Sequence, residues 1–223
     1  MTFSISARCP DTGAFGIAIS SSSPAVAARC AHAKADAGVV ASQNITDPVL
    51  GIRGLELLAT GQSAPQVRDA LVASTPFADF RQLAIIDRNG ITAAFSGSGA
   101  LGIHRVAEGR DCIAAGNLLA AASIPSAMVK AFEQSRGFLG ARLLVALKAG
   151  LDAGGEAGPV YSAGVKVVRE AEWPVVDLRV DWSEQPIERL IDIWQVYEPQ
   201  MEDYVRRAVA PESAPSFGVP GDA

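Results

Sequence analysis

The chain is 223 residues long, 49% hydrophobic but only 19% charged and 6% aromatic, a balance that excludes disordered, fibrous and low-complexity chains. Nineteen Lys and Arg against 24 Asp and Glu leave a net charge of −5, so no basic field exists to hold a phosphate backbone and nucleic acid is not an expected partner. The longest apolar runs break well before the ~20 residues that cross a bilayer, and residues 1–4 have no basic stretch leading into an apolar one.

A cytoplasmic protein without a membrane partner is therefore expected. One domain over residues 1–210 and a flexible C-terminal tail over 211–223, rich in proline and glycine, account for the length. Cys9, Cys30 and Cys112 lack CxxC spacing and read as small hydrophobes, not as a disulfide or metal framework.

In chain order, Phe3, Ile5 and Ala7 alternate with Ser4, Ser6 and Arg8, Pro10-Asp11-Thr12-Gly13 has turn chemistry, and Phe15, Ile17 and Ile19 alternate again, which predicts a hairpin. Pro24 to about Lys34 reads as an alanine-rich helix and 39–43 as a strand. Helices follow around Val49 to Leu58 and over 64–73, the second capped by Ser63. Residues 83–86 and 91–95 flank Asn89-Gly90 as a second hairpin, with another strand near 112–115. Helices at 125–134 and 139–151 and strands at 162–168 and 175–180 come next. An amphipathic helix over 187–209, kinked at Pro199, closes the order. Strands and helices in blocks indicate an α+β layered protein. Trp194 and Tyr197 on the last helix read as core, with a homodimer as a further expectation.

Gly97-Ser98-Gly99-Ala100-Leu101-Gly102 matches GxGxxG, but no helix follows it, so it reads as a flexible or ligand-lining loop and not as a dinucleotide site. His32 and His104 have no partner at metal-ligand spacing, and no GxSxG elbow is present; neither a metal nor an organic cofactor is implied. The amino terminus offers chemistry of a different kind. Removal of Met1 leaves Thr2 with a free α-amine, of reference pKa about 7.7–8.0, beside its own hydroxyl: a nucleophile that carries its base. With the first turn centred near Thr12, hairpin pairing places Thr2 against the Ser20 to Ser23 run.

These residues resemble the bacterial proteins of domain-of-unknown-function family 1028. The resemblance is carried by Thr2-Phe3-Ser4-Ile5, Asp11-Thr12-Gly13, Gly16-Ile17-Ala18-Ile19 ending at Ser21, Ser42-Gln43 with Thr46-Asp47-Pro48, His104-Arg105, Gly116-Asn117-Leu118, Gly154-Gly155, Ser162-Ala163 and Val176 to Asp181. It implies a four-layer αββα sandwich of the N-terminal-nucleophile-hydrolase-like kind and, by analogy, amide hydrolysis by the first residue. Carried over, Thr2 is the nucleophile, Ser21 and Asn117 complete the catalytic set, and Gln43, Asn44, His104, Ser22 and Glu156 bind substrate. Ser22 and Glu156 stand where the family often carries basic residues, which suits a neutral or cationic substrate.

The expected activity is amidohydrolysis of a small amide, ureido or cyclic amide compound in nitrogen catabolism. Two other readings stay open: a small-ligand-binding protein on the same fold, and a hydrolase or deaminase using internal groups such as His104 and Glu108.

Overall fold

The computed structural model describes residues 2–216 and 218. Two antiparallel sheets carry the fold. The first holds six strands in the order β10-β9-β2-β1-β8-β7: Thr2–Arg8 (β1), Phe15–Ser21 (β2), Arg105–Gly109 (β7), Cys112–Asn117 (β8), Ser162–Val168 (β9) and Val176–Val180 (β10). The second holds four in chain order: Ala31–Lys34 (β3), Gly38–Asn44 (β4), Arg81–Asp87 (β5) and Thr92–Ser96 (β6). Helices are Val26–Cys30 (α1), Pro48–Ala59 (α2), Ala64–Ala73 (α3), Ile124–Gln134 (α4), Leu139–Asp152 (α5), Pro186–Tyr197 (α6) and Met201–Val209 (α7).

Strand alternation sorts the side chains into three apolar cores. Phe3, Ile5 and Ala7 face α4, α5 and α6, where Met128, Leu143, Leu147 and Trp194 meet them. Phe15, Ile17, Ile19, Ile113 and Ala115 of the first sheet face Val39, Ala41, Ala84 and Ile86 of the second. Val40, Leu83 and Ile85 pack on the other side, against Leu50, Leu58, Val67 and Leu71 of α2 and α3. Central strands are therefore buried on both faces, and the serines of β1, which alternation alone assigns to solvent, are inside: Ser4 and Ser6 are no more than 1% exposed.

The first hairpin forms as expected, one residue out of the predicted register: Phe3 pairs Ser20, which puts position 2 level with 21. The helix expected over 24–34 stops at Cys30, because 31–34 pairs with β4 instead. Alanine favours helix by itself, so pairing with β4 outweighs local propensity here. Residues 105–109, expected as a connection, form edge strand β7 against β8. The final helix is broken by a 3-10 turn at Glu198–Gln200, where Pro199 stands, into α6 and α7. Trp194 lies in the core, stacked on Phe138 at 5.8 Å, and Tyr197 donates its hydroxyl to the Val175 carbonyl. Of the expected tail, Pro211–Ser213 forms a 3-10 turn, while 217 and 219–223 lie outside the described residues.

Asp87 locks the second sheet to its helices. One carboxylate oxygen accepts the Asn89 and Ile91 amides of the Asn-Gly turn; the other accepts the Ala64 amide at the start of α3. No helix among the described residues is long and apolar enough to cross a membrane.

Gly38 starts β4 at φ +147°, and a β-carbon there would stand 2.1 Å from the Ile86 carbonyl oxygen. Gly38→Ala combines backbone strain with a contact against main chain that cannot yield. A loss of about 3 kcal/mol, seen as a fall in melting temperature of roughly 6–12 °C, is expected in calorimetry.

Candidate functional site

The layer between the two sheets changes character along its length. Phe15, Ile17, Ile113, Val39 and Ile86 fill one end; at the other the same alternation brings in Thr2, Ser4, Ser21, Gln43, Gln82 and Asn117. Thr2 pairs directly with Asn117 across β1 and β8, which places their β-carbons ~4.5–5.5 Å apart on the same face. Ser21 is level with Thr2 on the other side and pairs with Ser162 of β9. All six side chains are buried; Thr2, at 4%, is the most exposed.

Amide side chains tie this end together across the sheets. The Ser4 hydroxyl donates to Gln43 Oε1 at 2.9 Å, and Gln43 Nε2 donates to Gln82 Oε1 at 2.8 Å. Asn117 Nδ2 donates to the same oxygen at 3.1 Å, and Gln82 Nε2 donates to the Gly116 carbonyl at 3.0 Å and to Ser96 Oγ. The Gly116 carbonyl can only accept, so the orientation of every amide in the chain follows from it. Asn117 is left with a buried Oδ1 that makes no hydrogen bond among the described residues. Its open end thus offers an acceptor, with the second Nδ2 hydrogen as the donor beside it.

The serine run is divided in its duties. Ser20 Oγ donates to the Ser162 carbonyl, Ser21 and Ser23 hydroxyls are 2.9 Å apart, and the Ser22 amide donates to both carboxylate oxygens of Glu156, at 3.1 and 3.3 Å. Helix α1 is capped by none of them, since Ala25 stands at its N-cap.

Glu156 reaches this end because Gly154 and Gly155, both at positive φ, turn the chain after α5 and lay 155–157 against 118–120. It is 4% exposed, and burial lifts its carboxyl from the ordinary 4.5 to about 7, against the hydrogen bonds from Ser22 that favour the charged form. Near neutrality it is therefore shared between acid and carboxylate.

Other expected site residues are placed elsewhere or spent on scaffolding. Asn44 donates to the Phe80 carbonyl and accepts from the Leu101 amide, pinning the glycine loop. His104 hydrogen-bonds the Gly102 carbonyl from that loop, and Glu108 is exposed and accepts from Thr92. Four residues of extended chain, ~13 Å, separate them, so they form no joint site. Gly97 and Gly99 lie against the Asp79 backbone and Gly102 against Leu118, where β-carbons would stand 2.3, 3.0 and 2.6 Å from their neighbours. The GxGxxG pattern records close packing against neighbouring chain. Ser42 points away from Gln43 and binds the Asp47 carbonyl at the start of α2.

Gln82 and Ser4 were not singled out from the sequence. The signal for Gln82 was its phase: it continues the buried Ala84 and Ile86 series and so had to be an inward-facing amide.

The match to a family model runs over residues 2–190. This chain belongs to the family of unknown function DUF1028. A crystal structure of a DUF1028 protein from Silicibacter pomeroyi is 32% identical to it and superposes with a TM-score of 0.86, covering 92% of this chain and 90% of that one. The Anbu (ancestral beta-subunit) protein from Yersinia bercovieri aligns over 92% of this DUF1028 chain and 97% of its own, at 11% identity and a TM-score of 0.39. None of the curated proteins matches.

Two outcomes test the site. Gln82→Leu strands the Gln43 and Asn117 donors and the Gly116 carbonyl in a buried layer, each worth ~1–3 kcal/mol, so urea unfolding should show a loss of at least about 3 kcal/mol. The Glu156 carboxyl has a folded pKa above its unfolded one, so its contribution to stability is present below about 4.5 and is lost as pH rises through about 7. Urea unfolding at about pH 5 and about pH 8 should show wild type losing more stability over that interval than Glu156→Gln.

Proposed function

We propose that this DUF1028 chain is an N-terminal-nucleophile-type amidohydrolase, with residues 1–210 as one domain whose two sheets and flanking helices form a four-layer αββα sandwich. The observation that carries it is the pairing of Thr2 with Asn117 at the polar end of the inter-sheet layer, with Ser21 level on the other side. A strand residue paired with β8, next to one held by strands on both sides, is fixed in position, and positioning is what lets a weak hydroxyl nucleophile act.

In this reading Met1 is removed. The Thr2 hydroxyl then attacks the carbonyl carbon of a small amide, ureido or cyclic amide substrate as its own α-amine takes the proton. The tetrahedral oxyanion is met by the free Nδ2 hydrogen of Asn117, while Asn117 Oδ1 accepts a proton-bearing group, amine or hydroxyl, of Thr2 or substrate. Collapse breaks the C–N bond, the proton passes to the leaving nitrogen, and water hydrolyses the Thr2 ester to regenerate the enzyme. Glu156, half-protonated near neutrality, faces the substrate from the Ser22 side, and as carboxylate it suits a cationic amide. Gln43 holds the network that aims Asn117.

The second reading is a binding protein on the same fold, which keeps Met1 in place. The intact mass of untagged protein separates the two. Loss of one methionine is expected; a retained Met1 blocks the amine and supports the binding protein. For the processed protein, release of amine or ammonia from a panel of small amides should vanish in Thr2→Ala, whose circular dichroism stays that of wild type. Asn117→Ala should lower kcat by ~100- to 1,000-fold if its amide meets the oxyanion. Undiminished turnover in Thr2→Ala removes Thr2 from the mechanism.

A further inference from the structure

At the far end of β1, six residues from Thr2, a cavity of about 350 Å³ opens among the 8–11 turn, the 109–111 turn and the α4–α5 connection. Four arginines line it, Arg8, Arg110, Arg136 and Arg142, in a chain whose net charge is −5. Two carboxylates, Asp11 and Asp111, also line it, and Asp111 is engaged by Arg8 at 3.3 Å. Glu133 stands nearby and accepts the Arg110 backbone amide. The cluster remains positive after these are counted.

The arginines are held by different means. Arg142 lies over the Phe132 ring at 4.0 Å and donates Nε to Ser135 Oγ and Nη2 to the Phe132 carbonyl. Arg136 donates Nη1 to the Glu133 and Ser135 carbonyls. Capping of the last α4 carbonyls accounts for these bonds, and for nothing else in the cavity. It does not explain Arg8, whose buried Nε makes no hydrogen bond among the described residues. Nor does it explain Arg110, whose guanidinium has no partner among them either. Like charges gathered at one concave place raise each other's energy, and an oxyanion bound in the fork of two guanidiniums relieves it with short, charge-assisted hydrogen bonds.

We propose that this cavity binds a small molecule bearing a multiply charged oxyanion, phosphate or carboxylate, at a site separate from Thr2. Its volume leaves room beyond the anion itself for an organic remainder.

The test is isothermal titration of the full-length protein with inorganic phosphate, and separately with succinate, in chloride buffer of constant ionic strength. Arg110→Gln/Arg136→Gln is the variant, because both side chains are exposed and the core is untouched. Saturable binding by wild type, weakened at least tenfold in the variant and unchanged in Thr2→Ala, is the expected result. Phosphate alone saturating identifies a phosphorylated ligand, and succinate binding as well extends the site to carboxylates. No saturable binding of either anion, equal binding by wild type and variant, or loss of binding in Thr2→Ala overturns the proposal. The last outcome would move the anion to the Thr2 end and leave the amidohydrolase reading standing.

Discussion

A single carbonyl sets the polarity of the layer between the sheets. Gly116 accepts from Gln82, Gln82 must then accept from both Gln43 and Asn117, and Gln43 must accept from Ser4. In a buried layer none of these amides can turn over without leaving a donor facing a donor, which costs as much as the hydrogen bond it breaks. The network therefore fixes side-chain orientation as firmly as backbone pairing fixes register. It also joins β1 and β8 of one sheet to β4 and β5 of the other at the end where the apolar contacts of Ile113, Val39 and Ile86 give out.

That arrangement divides one layer into an apolar and a polar end. The apolar end holds the sheets together by burial alone. The polar end holds them by directed bonds and, through Asn117 Oδ1, keeps one buried acceptor unspent next to Thr2. Glu156 adds the one carboxyl lifted to about neutrality among the described residues, brought in by a glycine turn and facing the serine run at the end of β2.

Much of the fold was legible. Alternation in 3–7 and 15–19, the Asn-Gly turn at 89–90, the Ser63 cap and the apolar faces of 125–134 and 139–151 each reported a local preference that the tertiary structure kept. Local signals failed where partners decided. Residues 31–34 became a strand because β4 was beside them, and 105–109 because β8 was. Serines at 4 and 6 look solvent-facing in any alternating pattern, and only a second sheet makes that face interior. The candidate site was half legible: Thr2, Ser21, Gln43 and Asn117 stand at one end, whereas Asn44 and His104 serve the 97–104 loop.

The sequence by itself determined the first hairpin, the Asn-Gly turn and the amphipathic helices, because these depend on neighbours within a few positions, and with them an acidic chain without a basic field. The tertiary structure decided that the hairpin is buried on both faces, that Gln82 is the hub of the inter-sheet bonds, and that Glu156 arrives beside Ser22. Those are contacts between residues 35 and 134 positions apart, and no local pattern encodes which distant strand or turn will close on which.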